Sequence, residues 1–171
     1  MSNDTSVVRV AINENDLITP TATQQYPLGY IHTIENPAAT AAAVRKFMYV
    51  KSGGALTAYN VYLIDFSSTA ATELVTGTPA TSAVYRRYGV PQVAFTSGYY
   101  GFVAIEGDVT IASTGNTTLG HTGKAANGVT TCTDESAATV SASTICLFKA
   151  TQTVGASNVK AYLVGTLATV A

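Results

Sequence analysis

The clearest pattern of hydrophobic and polar positions lies in residues 97–111, SGYYGFVAIEGDVTI. Four β-branched residues in this stretch share one parity: Val103, Ile105, Val109 and Ile111. Glu106 and Asp108 share the other parity, and successive side chains of a strand point to opposite faces. The pattern therefore predicts a central strand with the four apolar residues on its core side. Gly107, between the carboxylates, can mark a bulge, which would change this parity.

Further segments rich in β-branched and aromatic residues, and bounded by turn-forming residues, are also predicted to be strands. With the central strand they are Val7–Ile12, Leu28–Ile34, Lys46–Lys51, Ala58–Phe66, Ala83–Phe95, Tyr100–Ile111, Ser143–Ala150 and Asn158–Leu167. Small and turn-forming residues dominate Ser67–Ala83 and Ser113–Gly128, which we predict to be loops or loose hairpins. The short spacings favour a mainly β fold, an antiparallel β-sandwich or barrel.

One short helix is predicted at Pro37–Val44. Asn36 can cap it, proline suits the first helical position, and Arg45 and Lys46 follow at the end that favours cations. A helix this short needs tertiary support, and a loop is the alternative.

The first 26 residues mix a short apolar run with polar residues and prolines. We interpret residues 1–26 as an extended N-terminal arm that reaches onto a neighbouring molecule. The alternative is a first strand followed by a long loop. Residues 27–171 are then a single β domain, a length sufficient for a substantial core.

Composition narrows the kinds of partner. Only 11% of the 171 residues are charged and 47% are apolar, whereas roughly 25% are charged in a typical soluble domain. Extended apolar surface usually marks contact with a partner, so oligomerisation or docking onto an assembly is expected. The net charge of −1 argues against nucleic acid or anionic lipid as a partner. The N-terminus lacks the features of a signal peptide, which favours synthesis in a cytoplasm.

Glu106 and Asp108 are the only pair that suggests catalysis. In an unbroken strand their spacing overlaps that of inverting glycosidases, but the chain has no Trp for a substrate platform. We therefore favour a solvated strand face. His32 and His121 lack metal-ligand spacing, so we expect no metal, no cofactor and no enzymatic activity.

The two cysteines, Cys132 and Cys146, are expected to be reduced thiols in a cytoplasmic protein. A bridge forms only if their strands bring them within disulfide distance, which spacing alone leaves open.

Basic and tyrosine residues are the candidate contact positions. The cations can dock an acidic partner surface or can simply be solubilising charges at strand ends. Ten tyrosines and no Trp suit half-buried positions and protein interfaces. The predicted contact residues, towards a capsid or another subunit, are Arg9, Arg45, Lys46, Arg86, Arg87, Tyr99 and Tyr100.

Four motifs in order carry a family resemblance. They are PLGYI (residues 27–31), KFMYVKSGGAL (46–56), YGVPQVAF (88–95) and YGFVAIEGDVTI (100–111). This order resembles the capsid decoration, or cement, proteins of tailed phages, virion structural proteins with the same succession of strands. The chain departs from the group at Phe102, where Trp is common, and at Ala104, where Gln is usual.

The resemblance, over about residues 27–167, implies a non-enzymatic β protein without a cofactor. It implies a partner, the major capsid protein, on the outer surface of the virion, and assembly as a homo-oligomer, often a trimer. A phage head-fibre or adhesin-type domain that binds a host-surface glycan or protein is the alternative.

Overall fold

The computed structural model describes residues 12–35, 44–65, 73–75, 86–125, 129–135, 144–165 and 167–168. Its one helical element there is a 3-10 turn, η1, at Asp16–Ile18. The strands are β1 Ile31–Glu35, β2 Val44–Ser52, β3 Tyr62–Asp65, β4 Glu73–Val75, β5 Arg86–Gly89, β6 Tyr100–Ser113, β7 Thr122–Ala125, β8 Cys132–Asp134, β9 Thr144–Phe148, β10 Ser157–Leu163 and β11 Leu167–Ala168. The predicted mainly β class is confirmed.

Five strands close into a barrel in the order β6–β10–β9–β7–β8, with β8 returning to β6. The other strands extend the sheet from β6 in the order β2–β4–β3–β5–β11, and β1 adds to β2. Pairing is mainly antiparallel, as predicted, but β2–β4 and β6–β8 are parallel. The long strand β6 thus belongs both to the barrel and to the extension.

Seven of the eight predicted strands overlap observed strands, namely β1, β2, β3, β5, β6, β9 and β10. Val7–Ile12 lies outside the described residues except for Ile12. The predicted helix lies there too, apart from Val44, which is the first residue of β2. Short strands β4 and β7 occur where loops or loose hairpins are predicted, since pairing with neighbours decides such short segments.

A bulge interrupts β6. Lys46 of β2 pairs with Glu106 but Phe47 pairs with Ala104, so Ile105 has no partner in the register. Gly107 follows with φ of +93°, and a Cβ there would lie 2.3 Å from the Val44 carbonyl oxygen. Only glycine combines this backbone conformation with so close an approach of β2.

Because of the bulge, the apolar residues of β6 do not stay on the single face that the sequence pattern predicts. All four β-branched residues of the pattern are buried, but Val103 and Ile105 pack in one cluster and Val109 and Ile111 in another. An extra residue on one strand shifts every following side chain to the opposite face. The single core side predicted from the sequence is therefore wrong, and β6 serves two cores.

The larger cluster, the first core, includes most buried apolar residues of the barrel strands together with Phe47 and Tyr49 of β2. Its members from β6 and β8 to β10 are Phe102, Ala104, Val109, Ile111, Cys132, Ile145, Cys146, Phe148, Val159, Ala161 and Leu163. The second core lies on the other face of β2 and β6. It consists of Met48, Val50, Leu56, Tyr62, Ile64, Phe95, Val103 and Ile105.

Both cysteines are buried free thiols, with their Sγ atoms 3.5 Å apart. A Cβ on Gly123 of β7 would lie 2.6 Å from each sulfur, so a residue without a side chain makes room for both. The hydrogen bond to Cys146 and burial raise the pKa of the Cys132 thiol well above its ordinary value.

The described part of the predicted arm, residues 12–26, contacts the domain. Leu17 is buried in the first core, and Thr21 and Tyr100 exchange backbone hydrogen bonds of 2.8 Å. Residues 1–11 lie outside the described residues, so the arm and its boundary at residue 26 stay a prediction.

Candidate functional site

A groove of about 400 Å³ on the barrel surface collects three of the nine Lys and Arg side chains of the chain. We call it the basic groove. It is lined by Arg45, Gln92, Asp108, Val109, Thr110, Lys149, Lys160 and Ala161. Its formal charge is two positive, since three cations face one carboxylate.

Strand register explains how the polar lining is placed. Thr110 and Lys160 are directly opposite each other in the β6–β10 pair, and Lys160 Nζ donates to Thr110 Oγ1 at 3.0 Å. Val109 and Ala161, the next pair, are buried and form the floor. Because side chains alternate across a strand, the pairs that flank the floor present polar groups to solvent.

Gln92 forms one wall of the groove. Its side chain accepts a hydrogen bond from Thr110 N at 3.0 Å and donates one to Thr110 O at 3.1 Å. The amide thus takes the place of a strand neighbour beside β6 and holds the wall in position.

The cations differ in what they already contact. Lys149 Nζ donates to both Asp108 oxygens, at 2.9 and 2.8 Å, and about a third of each side chain is exposed. Arg45 lies with its Cζ 5.9 Å from the centre of the Phe47 ring, a cation–π contact that leaves its donors available. The groove therefore suits an anionic group that accepts hydrogen bonds.

Of the predicted contact residues, only Arg45 lines this groove. It packs closely on β6 just after the bulge, where a Cβ on Gly107 would lie 2.9 Å from Arg45 Cα. Lys46, its neighbour in sequence, forms an ion pair with Glu106, at 2.8 Å from Nζ to Oε2. The two adjacent cations are thus directed to different partners.

The other predicted contact residues lie elsewhere. Arg86 and Arg87 are in β5 and pair with β11, and Arg87 Nε is buried without a hydrogen-bond partner among the described residues. Tyr99 and Tyr100 are half-buried at the start of β6, and Tyr100 stacks on Tyr49 at 6.4 Å between ring centres. Arg9 lies outside the described residues.

The two carboxylates of the opening pattern do not form a pair with each other. Glu106 contacts Lys46 of β2, whereas Asp108 contacts Lys149 just after β9. Each has its own cation, and Gly107, with its positive φ, lies between them. This arrangement fits ion-paired surface residues of a strand.

Lys149 and Lys160 are the cations of the groove that sequence reasoning missed. Both lie within predicted strands, but only the β6–β10 and β9–β10 pairings bring them to Asp108 and Thr110. Alternation places Lys160 on the outer face of β10, between buried Val159 and Ala161, and this signal was available in the sequence.

Within the described ranges, no group of three or more His, Cys, Asp or Glu residues is arranged to hold a metal ion. The described residues also contain no helix with the length and apolar character needed to span a bilayer.

No known protein family and no curated protein matches the chain. Among solved structures, the crystal structure of the N base of head fiber gp8.5 in bacteriophage phi29 is similar, with a TM-score of 0.49 and 10% sequence identity. The alignment covers 71% of this chain and 95% of that chain. Similarity at this level does not establish a shared function.

Proposed function

We propose that the chain is a capsid decoration protein, a non-enzymatic cement protein that binds the outer surface of a phage head through the basic groove. The observation that carries the proposal is the groove itself. Three cations converge on one surface of a chain in which only 11% of residues are charged. The four sequence motifs resemble those of tailed-phage decoration proteins. This resemblance is the reason for proposing a phage capsid as the surface that the groove contacts.

The partner in this proposal is an acidic segment of the major capsid protein. Arg45 and Lys160 would receive its carboxylates, and Lys149 would remain with Asp108. Exposed ion pairs of this kind contribute modest affinity and mainly fix the orientation of docking. The whole chain has a net charge of −1, so the positive charge is local, as recognition of one acidic segment requires.

Cementing would arise from multiplicity. A homotrimer presents three grooves at once, so contacts that are weak in one copy add up across capsomer boundaries. Binding to the mature lattice alone would stabilise that lattice by mass action. The proposed role needs no cofactor, nucleic acid or membrane, and it places the protein on the virion after synthesis in the host cytoplasm.

The test uses phage heads that lack the protein, to which purified chain is added back, with bound copies counted by quantitative mass spectrometry. Reversing the groove charges with Arg45→Glu and Lys160→Glu together is expected to reduce occupancy at least about tenfold at physiological salt. Raising the salt should release the unmodified protein as well, because exposed charge pairs are screened.

Lys124→Glu is the matched control, since it changes a half-buried cation on β7 outside the groove. It should bind as the unmodified protein does. Full occupancy by the doubly reversed variant would refute docking through the groove. A few copies at a vertex or tail, instead of many copies across the head, would refute cementing and favour the head-fibre or adhesin alternative.

A further inference from the structure

A second pocket, of about 230 Å³, lies between the N-terminal segment and β2 and is separate from the basic groove. We call it the tyrosine pocket. It is lined by Asp16, Thr19, Thr21, Gln25, Tyr26 and Tyr49. The pocket contains two phenol rings and four polar side chains but no cation, whereas the basic groove carries a net positive charge.

Most hydrogen-bonding capacity of this lining is as acceptor. Asp16 Oδ2 accepts from Asn13 N at 2.9 Å and from Tyr26 Oη at 3.3 Å, but Asp16 Oδ1 accepts no bond from the described residues. The hydroxyls of Thr19 and Thr21 donate to backbone carbonyls, which leaves their oxygens as acceptors.

Gln25 adds to this bias. Its side-chain Nε2 donates to Thr23 O, which leaves Oε1 as a further acceptor. Tyr49 Oη accepts from Gln25 N at 2.9 Å, so its hydroxyl hydrogen is one of few donors that the pocket can offer. A guest with several donors and few acceptors therefore suits the pocket better than a sugar, which needs both.

The rings favour the same guest. Tyr26 packs edge-on against Tyr49, with ring centres 5.2 Å apart, and Tyr49 stacks on Tyr100. Tyr49 is buried among its neighbours, so half-buried Tyr26 is the ring that an ammonium group can approach, and tyrosine rings attract such groups. The chain already uses this contact at the far end of the stack, where Lys51 Nζ lies 6.0 Å from the Tyr100 ring centre.

We propose that the tyrosine pocket binds a primary alkylammonium group, such as the side chain of a lysine on a partner molecule. The ammonium would sit between the Asp16 carboxylate and the Tyr26 ring, with its three donors facing the Thr and Gln acceptors. This site is independent of the basic groove and of the capsid-binding proposal.

Titration of the full chain with n-butylammonium, followed by NMR signals of the Tyr26 and Tyr49 rings, tests the assignment. Saturable shifts at millimolar concentration are expected, and Asp16→Asn should weaken binding about tenfold, because it removes the charge but keeps the shape. Glu35→Gln, at the exposed end of β1 and outside both pockets, is the matched control and should leave the affinity unchanged. Unchanged backbone spectra would show that both variants are folded.

A second titration uses Nα-acetyl-lysine methylamide, which presents the ammonium as a protein would. Affinity equal to or tighter than that of n-butylammonium supports a partner's lysine, whereas binding of n-butylammonium alone supports a small free amine. The proposal fails if neither compound gives saturable shifts, if Asp16→Asn binds equally well, or if uncharged n-butanol or a methyl pyranoside binds as tightly.

Discussion

Strand β6 has a different environment on each side of Gly107. Before it, neighbouring residues alternate between the first and second cores, so both faces of the strand are buried. After it, Val109 and Ile111 pack in the first core, whereas Asp108 and Thr110 line the basic groove. One strand thus acts as a two-sided central strand and then as a barrel strand with a polar outer face.

The difference shows what a hydrophobic pattern reports. It identifies which residues are buried, but the parity of a strand names a face only while the register is continuous. Here the same parity leads to the second core before the bulge and to the first core after it. Three substitutions or conditions test this comparison, in order of decreasing expected effect.

Gly107→Ala should disrupt the backbone conformation that follows the bulge and joins the two halves of β6. An alanine would combine strained positive φ with a Cβ 2.3 Å from the Val44 carbonyl oxygen, so we expect a loss of at least about 4 kcal/mol in urea unfolding. Gly115→Ala is the control, because its Cβ meets nothing within 4 Å, and it should change stability by less than about 0.5 kcal/mol. Equal effects of the two variants would contradict the role of the bulge.

Ile105→Ala and Ile111→Ala test whether the two halves of β6 serve separate cores. Each isoleucine is almost fully buried, and each truncation should cost about 3 kcal/mol, within the usual range of about 2–5. Since the residues pack in different clusters, the double variant should show the sum of the single losses to within about 0.5 kcal/mol. A larger coupling in chemical unfolding would indicate one continuous core.

Alkaline pH should destabilise the barrel half through Cys132. Its pKa is raised in the folded state, so the folded chain holds a proton that the unfolded chain releases at lower pH. Stability from this thiol is full below its ordinary pKa and falls as pH rises beyond it, above about pH 9. The slope of unfolding free energy against pH should be smaller in Cys132→Ala, and an unchanged slope would exclude the thiol as its source.

Much of the fold was predictable because it depends on local composition. The apolar runs around Phe47, Leu63 and Phe102 are long enough to be recognised as strands without knowledge of their neighbours. Strands β4, β7 and β8 were not, since each has only three or four residues and depends on pairing for its stability. Gly123 in β7 has no side chain to contribute to a pattern, and its meaning appears only beside the two thiols.

The candidate site was predictable only in part. Arg45 was identified from the scarcity of charge, but Lys46 beside it has a different partner across the sheet. Lys149, just after β9, and Lys160 in β10 reach Asp108 and Thr110 only because β10 pairs with β6, which is distant in sequence. The spacing of residues along the sequence does not indicate which distant strands pair, so it could not predict this cluster of side chains.

The amino-acid sequence by itself determined the β class, the position of the long central strand and the burial of its β-branched residues. Local periodicity and side-chain chemistry suffice for these properties. The tertiary structure alone decided which core each residue enters and which cations share a groove, because both depend on strand pairing between distant segments. Gly107 illustrates both the sequence and the tertiary contribution. Its position is visible in the sequence, but the close approach of β2 that requires a glycine there is not.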